Sequence, residues 1–492
     1  MKDILLTTAI SYSNGRPHIG HLYESILADF IKNTFIILDY NTKLLTGTDE
    51  HGKKIQETAK SESLTEIQLC NKYSEIFKLM NNKLQTNYDH FIRTTDEKHK
   101  EFVVKSVTQS LENDDIYSSN YEGWYDVKEE CYISDLNAKL TNYINPLTNK
   151  LYEKVSEETF MFKLTKYKDI ILEILSSENK LIPNKFNNEL LKRVESSDFL
   201  DLSITRTTFD WGIKFPMNEN HVIYVWFDAL LNYDVGNKIL FDINLQTTKY
   251  HLIGKDIVWF HSVIYPAILK SINITFDDRT ILIHGHILDS NGIKMSKSLG
   301  NVIDVDWLLD NYPLEAVRFY LINETILGSD ILFSINNLKN AYNNILLKNF
   351  GNLFQRLYKL LKPIQEDLNN YIYNNIDKVT EFKVKYYNCV NEFTNNFNFQ
   401  EYRKTMNYLL DYSNKELTDK MPWKTQNIES FFDIILHFNC ACSMVYAIIP
   451  NKVLSLCKLI GWSIDNLKLN NNNININYIN EIKLVAFTKL VE

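Results

Sequence analysis

The 492-residue chain lacks several features that would assign it to a specialised class of protein. Its six cysteines include no CxxC pair, so the sequence supports neither a zinc knuckle nor a disulfide framework. No run of eighteen apolar residues occurs, so no segment is expected to span a membrane. The N-terminus has neither the basic start and apolar stretch of a signal peptide nor an Arg-rich transit helix, and a cytoplasmic protein is therefore expected.

The sequence also has no overall excess of positive charge. The net charge is −8, which does not by itself indicate a nucleic-acid-binding protein. The distribution is uneven, however, because residues 341–492 carry 17 Lys and Arg against 14 Asp and Glu. With 45% hydrophobic and 23% charged residues, the composition is typical of a globular protein, and the length predicts two or three domains.

The N-terminal part alternates strand and helix patterns. An apolar, β-branched run at 4–9 is followed by a turn at 13–15 and a helix from about His18. A second strand is predicted at 42–46, ending at Gly47, with a further helix from about Gly52. This order predicts a parallel, doubly wound α/β sheet, in which ligands bind beyond the carboxyl ends of the strands.

Later segments interrupt the sheet pattern and then resume it. Residues 117–221 predict an α+β insertion, with strand-like pieces at 152–155 and 160–164. Parallel-sheet patterns return at 222–227, 250–253 and 280–283. From about Asn336 the apolar spacing is helical, which predicts a bundle, and Cys440 and Cys442 are expected in its core.

The segment His18-Ile19-Gly20-His21 lies where the first turn meets the following helix. A helix N-terminus offers unpaired N–H groups and the positive end of the helix dipole, so it favours phosphate. Gly20 allows a flat base to approach the backbone, and the two imidazoles can donate hydrogen bonds to phosphate oxygens. Taken alone, so short a segment is more often two surface histidines near a turn.

A basic pentapeptide, Lys294-Met295-Ser296-Lys297-Ser298, follows the turn at Asn291-Gly292. Two ammonium groups on a loop can neutralise the charge that develops on a leaving pyrophosphate. Most lysine-rich pentapeptides are solvated basic loops, which is the alternative for this one taken alone.

Together, the two segments resemble the HIGH and KMSKS signatures of the class I aminoacyl-tRNA synthetases, in the same order and flanking the sheet. Three further blocks, Gly47–Gly52 (GTDEHG), Tyr224–Ala229 (YVWFDA) and Ile253–His261 (IGKDIVWFH), resemble the methionyl-tRNA synthetases. The resemblance runs over essentially the whole chain. It implies a ligase that uses ATP with Mg²⁺ to activate methionine and then transfers it to the 3′ end of tRNA(Met).

The same resemblance gives the predicted domains. Residues 1–116 and 222–284 are expected to form the two halves of a Rossmann-like catalytic domain, interrupted by the connective insertion at 117–221. Residues 285–340 are expected to form the KMSKS and stem-contact region, and 341–492 an α-helical anticodon-binding domain.

Matching positions also imply roles for individual residues. The predicted catalytic residues are His18, His21, Lys294 and Lys297. The residues expected at ATP are Gly20, Gly254, Asp256, Lys294, Met295, Ser296, Lys297 and Ser298. Those expected at methionine are Ile10, Tyr12, Asp49, Arg206, Trp226, Ala229, Leu230, Tyr233, Ile257 and His261.

Within the methionine set, Asp49 is expected to hold the substrate α-ammonium, and Arg206 to orient that carboxylate. Aromatic and aliphatic groups suit a flexible, polarisable thioether. Taken alone, Trp226 and Tyr233 are equally compatible with ordinary core packing, and Asp49 with a helix N-cap.

Three residues of the helical region resemble those with which methionyl enzymes read the CAU anticodon. Asn352 and Arg356 share a helix face at i, i+4 spacing, and Trp423 follows Met421-Pro422. Hydrogen bonds to base edges and stacking on an aromatic ring are the means by which single-stranded bases are recognised. A solvated charge for Arg356 and a core position for Trp423 are the alternatives without the resemblance.

The chain departs from the family pattern at two places. Ser11 stands where many members have proline before the pocket tyrosine. The insertion contains only Cys131, so the sequence resembles the metal-free subgroup and no structural zinc is expected. No further tRNA-binding or dimerisation module is recognised after the bundle, and a monomer without membrane association is expected.

Three competing interpretations are disfavoured. Synthetases for leucine, isoleucine and valine carry a larger editing insertion, and a cysteine enzyme needs zinc ligands that are missing. A small-molecule adenylating enzyme shares the HxGH chemistry but does not account for the helical domain. A tRNA-binding paralogue without catalysis is disfavoured by the intact His18, His21, Asp49, Lys294 and Lys297.

Overall fold

The structure is a computed structural model that describes residues 2–126, 131–133, 135–146, 150–241, 247–295, 299–425, 427–477 and 486–490. Its strands are β1 (Asp3–Thr8), β2 (Ser11–Tyr12), β3 (Asn41–Asp49), β4 (His90–Arg93), β5 (Ile116–Asp126), β6 (Cys131–Ile133), β7 (Glu153–Phe162), β8 (Leu181–Ile182), β9 (Leu202–Ser203), β10 (Thr205–Arg206), β11 (Lys214–Phe215), β12 (Asn218–Ile223), β13 (Thr248–Gly254), β14 (Arg279–His284), β15 (Ile287–Leu288) and β16 (Ile331–Leu332).

The α-helices divide between the two halves of the chain. Those up to residue 324 are α1 (Ile19–Ile37), α2 (Lys53–Ser61), α3 (Glu66–Leu84), α4 (Glu97–Glu112), α5 (Asp135–Leu140), α6 (Lys168–Ser176), α7 (Asn187–Glu195), α8 (Val225–Ala229), α9 (Asn232–Phe241), α10 (Tyr265–Ser271), α11 (Val305–Asn311) and α12 (Leu314–Glu324). The remainder are α13 (Ile335–Ala341), α14 (Asn352–Leu361), α15 (Gln365–Asn374), α16 (Ile376–Asn396), α17 (Phe399–Asp419), α18 (Pro422–Thr425), α19 (Ile428–Ile448), α20 (Pro450–Cys457) and α21 (Ile464–Leu467).

The central sheet has seven strands, and all of its pairings are parallel. Strand β3 pairs with β1, β2 and β4, and β1, β13, β14 and β8 follow one another across the sheet. The predicted doubly wound sheet is therefore confirmed. Because the strands run in the same direction, Thr8, Asp49, Gly254 and His284 all lie at one edge, where ligands of such sheets bind.

Residues 222–227 do not form the predicted parallel strand. Strand β12 ends at Ile223 and pairs in antiparallel fashion with β10 and β11, and the chain then turns into the short helix α8. A brief apolar run fits a buried strand and a buried helical turn equally well, so its periodicity could not separate the two.

The predicted insertion also differs in detail. The strand-like pieces at 152–155 and 160–164 belong to one long strand, β7, which pairs with β5 over most of its length. Strand β8 lies within the predicted insertion, yet it extends the central sheet beside β14. A two-residue strand carries no periodic pattern, so this return to the sheet could not be predicted from the sequence.

The region after residue 335 is helical, as predicted. Helix α19 is long and apolar enough to cross a membrane, with a mean hydropathy of 1.6 in its most apolar window, but 94% of that window is buried inside the protein. It is the core helix of the bundle. Cys440 and Cys442 lie in it and are fully buried, as expected.

A buried arginine of α12 links the bundle to α1. Arg318 of α12 pairs with Asp29 of α1 and donates to the carbonyl oxygens of Ile448 (2.7 Å) and Leu84 (3.1 Å). Both charged side chains are almost completely buried. Helix α1, whose N-terminus carries the HIGH segment, is thereby attached to the end of α19.

Candidate active site

The HIGH segment forms the N-terminal cap of α1. The Nδ1 atom of His18 accepts a hydrogen bond from the backbone N–H of Gly20 (3.0 Å), and the backbone N–H of His18 donates to Nδ1 of His21 (3.1 Å). Both Nδ1 atoms are acceptors, so each neutral ring carries its proton on Nε2. The rings stack with their centroids 3.8 Å apart.

Both imidazoles are held in the neutral form. Burial, followed by the charge of Lys294, lowers the pKa of His18, and burial, followed by His18, lowers the pKa of His21 well below its ordinary value. Neutral rings with Nε2–H groups are hydrogen-bond donors for an anion. Gly20 permits this cap, because a Cβ atom there would lie 2.9 Å from Cε1 of His18.

Lys294 connects the second signature to the same cleft. It forms a β-bridge with Leu288, and its charge lowers the pKa of both His18 and Asp256. Met295 packs against the core that includes α1. Ser296, Lys297 and Ser298 lie outside the described residues, so their predicted roles at ATP stay predictions.

The predicted adenosine residues follow β13. A Cβ atom at Gly254 would lie 2.6 Å from Oδ1 of Asp256, so a side chain there would force the Asp256 carboxylate to move. The other neighbour of that oxygen is His286, whose Nε2 is 3.4 Å away. The arrangement leaves Asp256 at the surface of the cleft, at the carboxyl edge where a nucleoside is expected.

Four rings line the predicted methionine pocket. Trp226 stacks on Phe260 at 3.8 Å and meets His261 edge-on at 6.2 Å. The Nδ1–H of His261 donates to the carbonyl of Ile257 (3.0 Å), so its Nε2 accepts from the hydroxyl of Tyr233 (2.8 Å). Burial lowers the pKa of His261 to about 4, which keeps the wall uncharged and suited to a thioether.

The other predicted methionine residues surround these rings. Tyr12 pairs in register with Asp49 across β2 and β3, and Asp49 is almost fully buried. Leu230 belongs to the same hydrophobic core as Tyr233, Ala229 is buried, and Ile10, Tyr12 and Ile257 pack against that core.

Arg206 is buried behind this pocket. Its guanidinium donates to the carbonyl oxygens of Ser203 (3.2 Å) and Thr205 (2.8 Å) and lies over the ring of Tyr224 at 4.4 Å. The predicted effect of Arg206 on the orientation of Asp49 stays a prediction.

Several residues at this edge were not identified from the sequence. Phe260 covers Trp226, and Glu24 accepts hydrogen bonds from the backbone of Ala9 (2.7 Å) and from His284 (3.3 Å). Burial opposes the charge of His284, but Glu24 raises its pKa above the ordinary value. The sequence signal that could have indicated this group is the His284-Gly285-His286 triplet directly after a predicted strand.

The predicted anticodon residues lie at one end of the bundle. Asn349, in the π-helical segment Tyr342–Gly351 that leads into α14, donates to Asp411 of α17 (2.7 Å), and Arg356 of α14 reaches Thr418 near the end of α17 (3.5 Å). Asn352 is exposed one turn before Arg356. Trp423 is 37% exposed in α18, so it is not the buried core residue that was its alternative.

Comparisons of the sequence and of the fold with known proteins agree on one family. A family model described as "tRNA synthetases class I (M)" matches residues 4–144 and 136–358. A methionine–tRNA ligase from Caldanaerobacter subterraneus is 34% identical over 451 residues, covering 87% of this chain and 68% of that protein. The chain belongs to the methionyl-tRNA synthetase family.

Two further relatives define the extent of the match. The methionine–tRNA ligase of Listeria monocytogenes is 35% identical over 437 residues, which cover 85% of this chain and 65% of the relative. The chain thus spans slightly less than two thirds of that relative. The solved methionyl-tRNA synthetase of Mycobacterium tuberculosis in complex with methionyl-adenylate superimposes with a TM-score of 0.83 at 27% identity, covering 97% of each chain.

We predict that this member of the methionyl-tRNA synthetase family binds no structural zinc. Within the described part of the chain, no group of three or more His, Cys, Asp or Glu side chains is arranged to hold a metal ion. Four-coordinate zinc sites need such ligands. Elemental analysis of the purified protein should find less than about one tenth of a zinc per chain after dialysis against a chelator. One tightly held zinc per chain would contradict the prediction.

Proposed function

We propose that the protein is a methionine–tRNA ligase that works in two steps. The methionine carboxylate attacks the α-phosphorus of ATP, supplied with Mg²⁺, and pyrophosphate leaves. A hydroxyl at the 3′ end of tRNA(Met) then attacks the carbonyl carbon of methionyl-adenylate, and AMP leaves. The observation that carries this proposal is the convergence of the two neutral imidazoles and Lys294 at one cleft, together with the buried aromatic cluster of Trp226, Phe260 and His261 and the buried carboxylate of Asp49.

Each half of the site has a distinct task. His18 and His21 donate Nε2–H bonds to phosphate oxygens, while Lys294 and Lys297 neutralise the negative charge that accumulates on pyrophosphate. Asp49 binds the methionine ammonium, and Trp226 and its neighbours enclose the thioether. Little covalent chemistry is required of the protein, so positioning and charge stabilisation supply the rate enhancement.

The relatives support this assignment, since two are methionine–tRNA ligases and a third was solved with methionyl-adenylate. We also propose that the protein acts as a monomer in the cytoplasm.

ATP–pyrophosphate exchange with each of the twenty amino acids tests the proposal most directly. Methionine should support exchange, and the other amino acids should do so at least about a hundredfold less efficiently, because a pocket fitted to one side chain discriminates by a few kcal/mol. Exchange supported by another amino acid would identify a different synthetase. Adenylation of a small acid without any tRNA charging would instead indicate a small-molecule adenylating enzyme.

Replacement of Trp423 should separate RNA recognition from activation. Stacking on an aromatic ring is worth roughly 1–3 kcal/mol per base, so Trp423→Ala should reduce the charging of a CAU tRNA by about ten- to a hundredfold or more. ATP–pyrophosphate exchange does not use tRNA and should stay near the wild-type rate. A change of the first anticodon base should reduce charging by wild-type enzyme in the same way.

Tyr408 provides the matched control. It is 52% exposed on α17, ten residues before Thr418 and so about 15 Å along the helix from the residue that Arg356 contacts. Tyr408→Ala should leave charging within about twofold of wild type. Equal charging of CAU and altered tRNAs by the wild-type enzyme would contradict the anticodon assignment.

A further inference from the structure

A carboxylate outside the predicted site residues is held by two imidazoles. Oδ2 of Asp228 lies 2.6 Å from Nδ1 of His51, and Oδ1 lies 2.6 Å from Nε2 of His99. The Asp228 side chain is 1% exposed, that of His99 is fully buried, and that of His51 is 6% exposed. Because the carboxylate and the two imidazoles are buried and joined by short hydrogen bonds, they hold the segments that carry them in fixed relative positions.

Two of the three residues belong to segments that carry predicted methionine-binding residues. His51 follows Asp49 by two residues at the end of β3, and Asp228 follows Trp226 by two residues in α8. His99 lies in α4 and contacts Asp228 from there. One carboxylate therefore connects the backbone that carries the ammonium-binding group to the backbone that carries the pocket tryptophan.

The charge of Asp228 strengthens these contacts. Burial raises the pKa of Asp228, but the charge and the hydrogen bond of His51 outweigh this effect, and the pKa is about 2. An ionised carboxylate accepts from both imidazoles at once, and such charge-assisted bonds are stronger than bonds between neutral groups.

The segment that carries Asp49 is held on its other side as well. Glu50 accepts from Arg93 (2.7 Å) and from Thr48 (2.7 Å), and its backbone carbonyl accepts from the indole of Trp211 (2.6 Å). The backbone on that side therefore cannot shift to compensate when the His51 contact is lost, unless these bonds also break.

We propose that Asp228, together with His51 and His99, is a positioning residue for the amino-acid substrate. It sets the distance between Asp49 and the wall formed by Trp226, so that the ammonium and the side chain of one substrate are bound simultaneously. The inference rests on the proposed function and deepens it, because it assigns a structural support to the amino-acid half of the site.

Variants of Asp228 should affect the amino acid and not the nucleotide. Asp228→Ala should raise the KM for methionine in ATP–pyrophosphate exchange by about tenfold or more, because small misplacements of binding groups are strongly penalised. The KM for ATP should stay within about twofold, since His18, His21 and Lys294 do not contact this network. Asp228→Asn keeps one acceptor oxygen and should fall between Asp228→Ala and wild type.

Asp115 supplies a control for the loss of stability that follows when any buried carboxylate is removed. It is fully buried, accepts from Tyr167 (2.6 Å) and pairs with Lys166, away from the pocket. Asp115→Asn should lower the melting temperature while the ratio of the two KM values stays at the wild-type value. If Asp228→Ala changes only the melting temperature, as Asp115→Asn does, or raises both KM values equally, the positioning role is wrong.

Amide substitutions of the two histidines should preserve part of the network that alanine substitutions remove. An asparagine amide can replace Nδ1 of His51, and a glutamine amide can replace Nε2 of His99, whose Nδ1 has no hydrogen-bond partner among the described residues. His51→Asn and His99→Gln should therefore retain a lower KM for methionine than His51→Ala and His99→Ala. Equal KM values for the amide and alanine variants would contradict the network.

A failure of the positioning role can be distinguished from a failure of the proposed function. If wild-type enzyme activates a different amino acid, the same KM comparison is made with that substrate. If Asp228→Ala raises the KM for that other amino acid, the positioning role is supported and only the methionine assignment is wrong. An unchanged KM with methionine as the true substrate would remove the positioning role alone.

Discussion

His21→Ala should slow methionyl-adenylate formation by roughly two to four powers of ten, because a hydrogen-bond donor aimed at the reacting phosphates is lost. The affinity for methionine should change much less, since His21 is assigned to the nucleotide and not to the amino acid. Single-turnover formation of adenylate, measured at saturating ATP and methionine, gives the rate, and equilibrium binding of methionine gives the affinity. A large loss of methionine affinity at a normal rate would contradict the assigned role.

Two substitutions at the same position distinguish the functions of the ring nitrogens. His21 uses Nδ1 to accept from the backbone of His18 and Nε2–H as the outward donor. Glutamine can supply an N–H near Nε2, whereas asparagine can only imitate the group near Nδ1. His21→Gln should therefore retain more activity than His21→Asn. The reverse order would mean that the cap of α1, and not the outward N–H group, limits the reaction.

Asp49→Ala should reduce methionine activation to below about one hundredth of the wild-type level. The substrate ammonium would enter a buried site without its counter-charge, at a cost of about 3–5 kcal/mol. The loss should appear in kcat/KM for methionine in the exchange reaction. Trp226→Ala, which opens the pocket and keeps the charge, should give a smaller loss.

The isosteric Asp49→Asn variant separates charge from shape. It keeps the side-chain volume and should fall nearly as far as Asp49→Ala if the charge is essential. ATP binding, followed with a non-hydrolysable analogue, should be unaffected in both variants. Near-normal activity of either variant would invalidate the pocket assignment.

The sequence was most informative where local pattern and chemistry coincide. The alternation of strands, Gly-containing turns and helices predicted the doubly wound sheet, and the apolar spacing after residue 336 predicted the bundle. It failed at 222–227, where a short apolar run turned out to be the end of an antiparallel strand followed by a helical turn. It also did not identify β8, because two residues cannot display a period.

The residues of the candidate site also divide into those that the sequence predicted and those that it could not. His18, His21, Asp49, Trp226 and Lys294 lie in contiguous motifs that resemble known ones. The Asp228 network could not be inferred, because its members are separated by 177 and 129 positions in the chain and only the fold brings them together. The protonation of His18 and His21 on Nε2 depends on which backbone N–H groups reach Nδ1, and no sequence pattern specifies those distances.

One aromatic side chain joins the two halves of the molecule. Phe30 of α1 projects among three rings of the bundle, with centroid distances of 5.1–5.7 Å to Tyr402, Phe399 and Phe393. The catalytic part and the bundle therefore share a single hydrophobic core. They should denature in one cooperative transition, and the bundle does not constitute an autonomous module that can be exchanged between synthetases. Any graft of a new anticodon specificity must preserve the α1 face together with the helices that enclose Phe30.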